Sequence, residues 1–392
     1  MITTQLTDEL IRGAVELESS ERGVRPHRLP RPIRERFADP QLTLMEAQPS
    51  GVRVAVRTTS VDIGMHVHAT RVSYRGATRA RGVIDVVVDD VFHHSHVLTG
   101  GDTIEMDPHT GTRSFVPGAP ELVTITALAP GEKTVEIWLP HSEQIDLIAL
   151  RSDAPLQPAP PSGPLWLHHG SSISQGSNAT SPTRIWPVVA ALRGGAQLRN
   201  LGFGGSALVD PFMARHMRDT PADVISVKLG INVVNHDSMR LRSFVPAVHG
   251  FLDMIRDGHP VTPLLLISPI QCPIHEDTPG PGAIDPTTLG TGSVQFIATG
   301  KKGDTTLGRL TLGVIRDALA EIIDSRSEED PNLHYLDGRT LYGRRNAQRH
   351  PLPDGLHPDT DTHALMGQRF ADNVFGPGGV FRKARHPAAA TH

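Results

Sequence analysis

The chain has 392 residues, long for one ordinary domain and suited to two. Its 37 glycines and 33 prolines call for many turns, while 38% apolar residues leave enough material for real cores. Lys and Arg number 38 against 42 Asp and Glu, a net charge of −4 that argues against a nucleic-acid binder held by bulk positive charge.

The single cysteine, Cys272, excludes an intrachain disulfide and a cysteine-based zinc cage. The opening MITTQLTDEL is polar and acidic, and no apolar run nears the ~18 residues that a membrane span needs. These features predict a cytoplasmic protein without membrane association.

In chain order, residues 8–18 (DELIRGAVELE) place Leu10, Ile11, Ala14, Val15 and Leu17 at helical spacing and predict a short helix. The stretch GVRPHRLPRPIRERF is rich in Pro and Arg and reads as an extended arm. Helix and arm together occupy residues 1–40. From 41 to 153 the pattern becomes short β-type runs, VRVAVRTT, DIGMHVHATRVSY, GVIDVVV, ELVTITAL, KTVEIWLP and IDLIAL. Several alternate with period two between Gly, Pro or Asp turns, which predicts an antiparallel, jelly-roll-like β-sandwich.

A Pro-rich linker at 154–163 separates this region from one extending over 164–378. There, PLWLHH, DVISVKLG, VTPLLLIS and NLHYLD alternate with helical stretches such as RSFVPAVHGFLDMIRD, predicting an α/β fold with a parallel sheet covered by helices. Residues 272–304 interrupt the alternation with a long Gly- and Pro-rich segment, read as a substrate loop. Residues 379–392 read as a disordered tail.

Four segments of the second region carry candidate chemistry. The strand PLWLHH runs into Gly170-Ser171-Ser172-Ile173-Ser174, where a serine at a sharp strand exit can act as a nucleophile and its own N–H can face an oxyanion; an N-cap and loop would look the same. Asp354-Gly355-Leu356-His357 places a carboxylate three residues before an imidazole, close enough to reach Nδ1 and leave Nε2 as base. With 21 histidines in the chain, that pattern is informative only in combination. Asn200-Leu201-Gly202-Phe203-Gly204-Gly205-Ser206 can turn a backbone N–H into a cleft, and Leu229-Gly230-Ile231-Asn232 ends a strand with an amide donor.

In this order the four segments resemble the motif blocks of the SGNH (GDSL-type) hydrolase family, over about residues 164–375. The resemblance implies a flavodoxin-like parallel sheet, Ser172 as nucleophile, Asp354 and His357 as its charge partners, and an oxyanion hole of Ser172, Gly205 and Asn232. It implies no cofactor and no metal, and a small-molecule ester or thioester substrate. The Asp that usually precedes the family's serine is Ser171 here, and the family frame selects Ser172 between the two. With the β-rich region in front, the chain is similar to a two-domain actinobacterial subgroup that includes a salicylyl acyltransferase type. The expected activity is esterase, with transfer of an aryl or acyl group from a thioester to a natural-product hydroxyl as the alternative.

Other readings compete. The α/β-hydrolase elbow G-x-S-x-G does not occur. His66-Val67-His68 and His93-His94-Ser95-His96 suggest a metal site on the sandwich, but Arg71 to Tyr74 stand where a jelly-roll metal site wants a Glu. His168, His169 and His236 flank the motif segments as candidate pocket residues. A ligand- or carbohydrate-binding sandwich with a secondary hydrolase domain has little aromatic surface to stack on, Tyr74 and Trp138 being nearly its only large flat side chains besides phenylalanines.

Overall fold

Strands with alternating apolar residues pair early in the chain into two facing sheets. The computed structural model describes residues 1–382 except 77–78, 108–109 and 289. In one sheet the order is Arg113–Val116, Asp102–Met106, Ile63–Tyr74, Gln144–Ser152, Gly23–His27 and Glu16–Ser20, with Ile2–Thr4 and Glu121–Ile125 attached. The other runs Gln157–Pro158, Arg53–Thr58, Lys133–Trp138, Val83–Val88 and Val91–Val97, with Ile11–Arg12 attached. Among the described residues one pair, Ile63–Tyr74 with Asp102–Met106, is parallel and the others are antiparallel. In Lys133–Trp138, Val135 and Ile137 are fully buried while Thr134 and Glu136 are partly exposed, as period two requires. Val54, Val56, Met65, Val67, Val86 and Leu147 fill the space between the sheets.

The second region is built on five parallel strands in the order Gln197–Gly202, Leu165–Gly170, Val224–Lys228, Leu264–Ile267 and Leu333–Leu336. In chain order this is 2-1-3-4-5, a doubly wound arrangement whose switch point lies between the first and third strands. Val224–Lys228 and Leu264–Ile267 are buried throughout, because helices cover both faces. Trp186–Gly194 packs with Thr360–Phe370, and Leu241–Gly258 packs with both Pro211–Asp219 and Leu312–Arg326.

The helix expected over 8–18 is absent; Ile11–Arg12 and Glu16–Ser20 are strands. Gly13 between them has φ +89°, and a Cβ there would lie 2.6 Å from the Gly51 carbonyl oxygen. The chain therefore crosses close over another backbone, switching from one sheet to the other, where a helix would not fit. Residues 1–40 thus contribute strands to both sheets, together with one short helix, Arg31–Arg36. Residues 154–163 are docked on the sandwich. Leu156 and Ala159 are buried, and Gln157–Pro158 pairs with Val56–Arg57. Of the expected tail, Phe381 is fully buried against Phe375, and residues 383–392 lie outside the described set.

The two regions share packing. Leu29, Leu42, Val87 and Trp138 belong to the apolar cluster of the parallel-sheet region. Trp138 is buried under the Arg53 guanidinium, 4.6 Å from its ring, and Arg53 also donates to Glu136 and to Gln197 of the neighbouring region. Trp138→Ala should lower unfolding free energy by about 3–5 kcal/mol, the range for emptying a large aromatic site, as read by chemical denaturation.

Candidate active site

Ser172 opens the four-residue helix Ser172–Gln175, immediately after Leu165–Gly170. It is half-buried, and its Oγ lies 2.9 Å from His357 Nε2. His357 stands in the loop before the helix Thr360–Phe370, and its Nδ1 lies 2.8 Å from Asp354 Oδ2. The carboxylate is held on every side. Oδ1 accepts from the N–H groups of Leu356 (2.9 Å) and His357 (2.6 Å), and Oδ2 also accepts from Asn178 Nδ2 (2.9 Å). Burial works to raise the Asp354 pKa, but the hydrogen bonds and charge of His357 and the backbone donors outweigh it and hold the group below the usual carboxylate value. An ionised Asp354 keeps the proton on Nδ1 and leaves Nε2 as acceptor for the serine proton.

The three expected oxyanion donors follow three neighbouring strands of the sheet. Among the described residues nothing accepts from the N–H of Ser172, the N–H of Gly205 or the Nδ2 of Asn232. Asn232 Oδ1 accepts from Ala207 N–H at 3.1 Å, which orients its amide and ties its helix to the loop that holds Gly205. That loop passes against the serine: a Cβ at Gly204 would lie 3.5 Å from Ser172 Cβ. Gly205 has φ +73°, in the left-handed region that favours glycine. The donors follow the second, first and third strands, three neighbours flanking the switch point, where open α/β sheets bind ligands.

The remaining sequence candidates separate clearly. His168 and His169 do not line the cleft: both are buried, His168 between Ser226 Oγ and Ser174 Oγ (2.8 Å each) and His169 against the Leu201 carbonyl. Burial pushes the His168 pKa well below its ordinary value and that of His169 down to about 4. The Ser174–His168 pair resembles the Ser172–His357 pair by distance, but Ser174 is fully buried and the far nitrogen of His168 bonds Ser226 Oγ where His357 meets a carboxylate. His236 Nε2 bonds the Gly205 carbonyl at 2.9 Å. Burial, with Glu276 nearby, pushes the Cys272 thiol up to about 12, so it stays protonated. On the sandwich, His68 pairs with Asp102 (3.1 Å), and among the described residues no three His, Cys, Asp or Glu side chains group as metal ligands would.

Other contacts were not read from the sequence. Phe296 packs edge-on to the His357 imidazole, with centroids 5.5 Å apart, and its N–H donates to the Asp354 carbonyl at 2.8 Å. Gln295 Nε2 donates to the Pro353 carbonyl and Cys272 Sγ to the Gly355 carbonyl. The 272–304 segment therefore rests on the Asp354–His357 loop, with Gly282–Ile284 and Phe296–Ala298 paired as two short strands. Asn178 carries no motif signal, since only the fold brings it to Asp354.

Residues 10–148 match the SsfX3 N-terminal domain family, and residues 166–275 match the GDSL-like lipase/acylhydrolase family. Among solved structures the chain is similar to the salicylyl-acyltransferase SsfX3 from a tetracycline biosynthetic pathway, at 26% identity and TM-score 0.77 over 94% of this chain and 95% of that one. A GDSL-like lipase structure from Bacteroides ovatus aligns at 18% identity and TM-score 0.65, covering 92% and 93% of the two chains. A family two carbohydrate esterase from Cellvibrio japonicus aligns at 13% and 0.55, covering 94% and 96%. No curated protein matches the chain. The GDSL-like lipase/acylhydrolase match covers the strands and loops that carry Ser172, Gly205 and Asn232, and the chain is an enzyme of serine-dependent acyl transfer or ester cleavage. Its parallel-sheet region is preceded by a domain resembling the N-terminal domain of SsfX3. Among the described residues no helix is long and apolar enough to cross a membrane.

Because the folded Asp354 pKa is depressed, its stabilising contribution is fully present above the unfolded value of about 3.9. It is lost as pH falls through the lower folded value. Asp354→Asn should therefore flatten the fall in stability over that acid range, followed by denaturation at a series of pH values. The same variant should lose about 10⁴-fold in kcat, since an amide does not hold the required tautomer.

Proposed function

We propose that the enzyme is an acyltransferase that moves an acyl group from an ester or thioester to a hydroxyl of a small-molecule acceptor through Ser172. The observation that carries the site assignment is the line Ser172 Oγ, His357 Nε2, His357 Nδ1, Asp354 Oδ2, with hydrogen-bond distances of 2.9 and 2.8 Å. His357 takes the Ser172 proton as Oγ bonds to the acyl carbon. The N–H groups of Ser172 and Gly205 and the Asn232 amide receive the oxyanion. Its collapse breaks the bond to the leaving alcohol or thiol, which takes the proton from His357. The acceptor hydroxyl then gives its proton to His357 and attacks the acyl-enzyme, and Ser172 is regenerated with that proton.

Transfer is preferred to the hydrolysis expected first because the alignment with a salicylyl-acyltransferase runs nearly the full length of both chains. Phe296 packed edge-on against the His357 imidazole supports the same choice, as an apolar group beside the proposed base. Esterase activity is the second reading, favoured by the lipase/acylhydrolase match. A sandwich that binds sugar by stacking is disfavoured because Trp138 is buried. We place the enzyme in the cytoplasm, in keeping with its single buried, unpaired cysteine. We place the division between its two domains at 154–163, the segment that carries the sandwich's edge strand Gln157–Pro158 and precedes the first parallel strand.

Ser172→Ala should abolish labelling by a fluorophosphonate, while Ser171→Ala and Ser174→Ala keep it. Labelling that disappears with Ser174 instead would move the nucleophile to the buried pair. With an aryl thioester and an alcohol acceptor, mass spectrometry should find the transferred ester as the main product. Phe296→Ala should raise the share of free acid several-fold without abolishing acyl-enzyme formation.

A further inference from the structure

We infer that Gln41, on the helix between the sandwich strands Gly23–His27 and Arg53–Thr58, is a positioning residue that aims the Gly205 N–H at the oxyanion. This rests on the reading of Gly205 as an oxyanion donor. Gln41 Nε2 donates to the Gly204 carbonyl at 2.9 Å. That carbonyl and the Gly205 N–H are the two ends of one planar trans peptide, so they point in opposite directions. Holding the carbonyl against Gln41 therefore sets the direction of the N–H. A hydrogen bond to the carbonyl also polarises the peptide and strengthens its N–H as a donor.

The peptide needs such a hold. Gly204 and Gly205 have no side chains to resist rotation, and Gly205 is already at φ +73°. The flanking groups are clamped as well. Gly204 N–H donates to Gln175 Oε1 (2.8 Å), and the Gln175 amide is held in turn by Gln48 (2.6 Å). His236 bonds the Gly205 carbonyl. The middle peptide, which carries the proposed donor, has Gln41 as its short partner at 2.9 Å, with Ser206 Oγ a longer second donor to the same carbonyl at 3.5 Å.

The helix that carries Gln41, Pro40–Glu46, is itself fixed. Asp39 caps it by accepting from Leu42 N–H, Leu42 is buried, and buried Glu46 bonds His27. Arg28 donates to the Met45 carbonyl and to the Gly202 carbonyl just before the oxyanion loop. A Cβ at Gly204 would come within 3.0 Å of Met45 Sδ, so the same helix crowds the loop from outside.

The test compares Gln41→Leu, which keeps the bulk and loses the donor, with Gln41→Lys, which keeps a donor on an exposed side chain. A direct oxyanion donor is worth about 10²–10³ in kcat, and an orienting contact should be worth about tenfold. Gln41→Leu should lower kcat by about tenfold with KM within twofold, and should weaken an aryl boronic acid, which forms a tetrahedral adduct on serine, by the same factor. Thermal midpoint should stay unchanged, and Gln41→Lys should recover most of the loss. Unchanged kcat in Gln41→Leu, or a loss confined to KM or thermal midpoint with boronate affinity intact, overturns the inference while leaving Ser172 as nucleophile. Activity surviving Ser172→Ala overturns both.

Discussion

Arg28 is a fully buried cation, and much of the architecture follows from how it is satisfied. Its guanidinium donates to the carbonyls of Asn200 and Gly202 and to that of Met45, and lies 4.6 Å from the centre of the Phe203 ring. Burial lowers its pKa to about 9, opposed by Glu46, so it stays protonated at neutral pH. A charge in that position without acceptors would cost several kcal/mol. The strand end at Asn200–Gly202 and the helix Pro40–Glu46 are therefore obliged to meet around it. The loop that leaves that strand carries Gly204 and Gly205. A contact that resembles domain packing thus decides where the loop carrying Gly204 and Gly205 begins.

The parallel sheet supplies the other constraint. Successive strands end side by side at the switch point, so short loops from three of them reach the same cleft without long excursions. Ser172 follows its strand by two residues and Asn232 follows its own by four. Asp354 and His357 come from a loop much later in the chain and are internally organised, the carboxylate accepting from two N–H groups of its own loop. Preorganisation of this kind lets the His357–Asp354 pair and the proposed donors be set by separate local structures, with the pair joined to Ser172 by one hydrogen bond.

What could be read in the sequence was what is local. Asp354 and His357 are three residues apart, and the strand before Ser172 is a plain apolar run. Gly204 and Gly205 mark a turn whatever surrounds them. What could not be read depends on tertiary approach. Gln41 sits more than 160 residues from Gly204, and Asn178 more than 170 from Asp354. The spacing of Leu10, Ile11, Ala14, Val15 and Leu17 fits a helix, yet the backbone of Gly51 approaching Gly13 excludes one. His168 and His169 looked like pocket residues because they precede Ser172, but a sheet covered on both faces buries both sides of its strand. The pair His168–Ser174 then satisfies a buried hydroxyl and a buried ring against each other, which is what a core requires of polar groups.

Hydrolysis and transfer share every group that touches the oxyanion, so the choice between them must lie in what meets the acyl-enzyme on the His357 side. There the structure places the 272–304 segment, bonded to the carbonyls of Pro353, Asp354 and Gly355 through Gln295, Phe296 and Cys272. Such contacts do two things at once. They stiffen the loop that carries His357, and they set an apolar ring edge-on against its imidazole. Water gains little from an apolar neighbour, whereas an acceptor with hydrophobic surface gains by burying it, roughly 25 cal/mol for each Å². The length of the 272–304 segment, awkward for a connector, is explained if its function is to build that wall from outside the sheet.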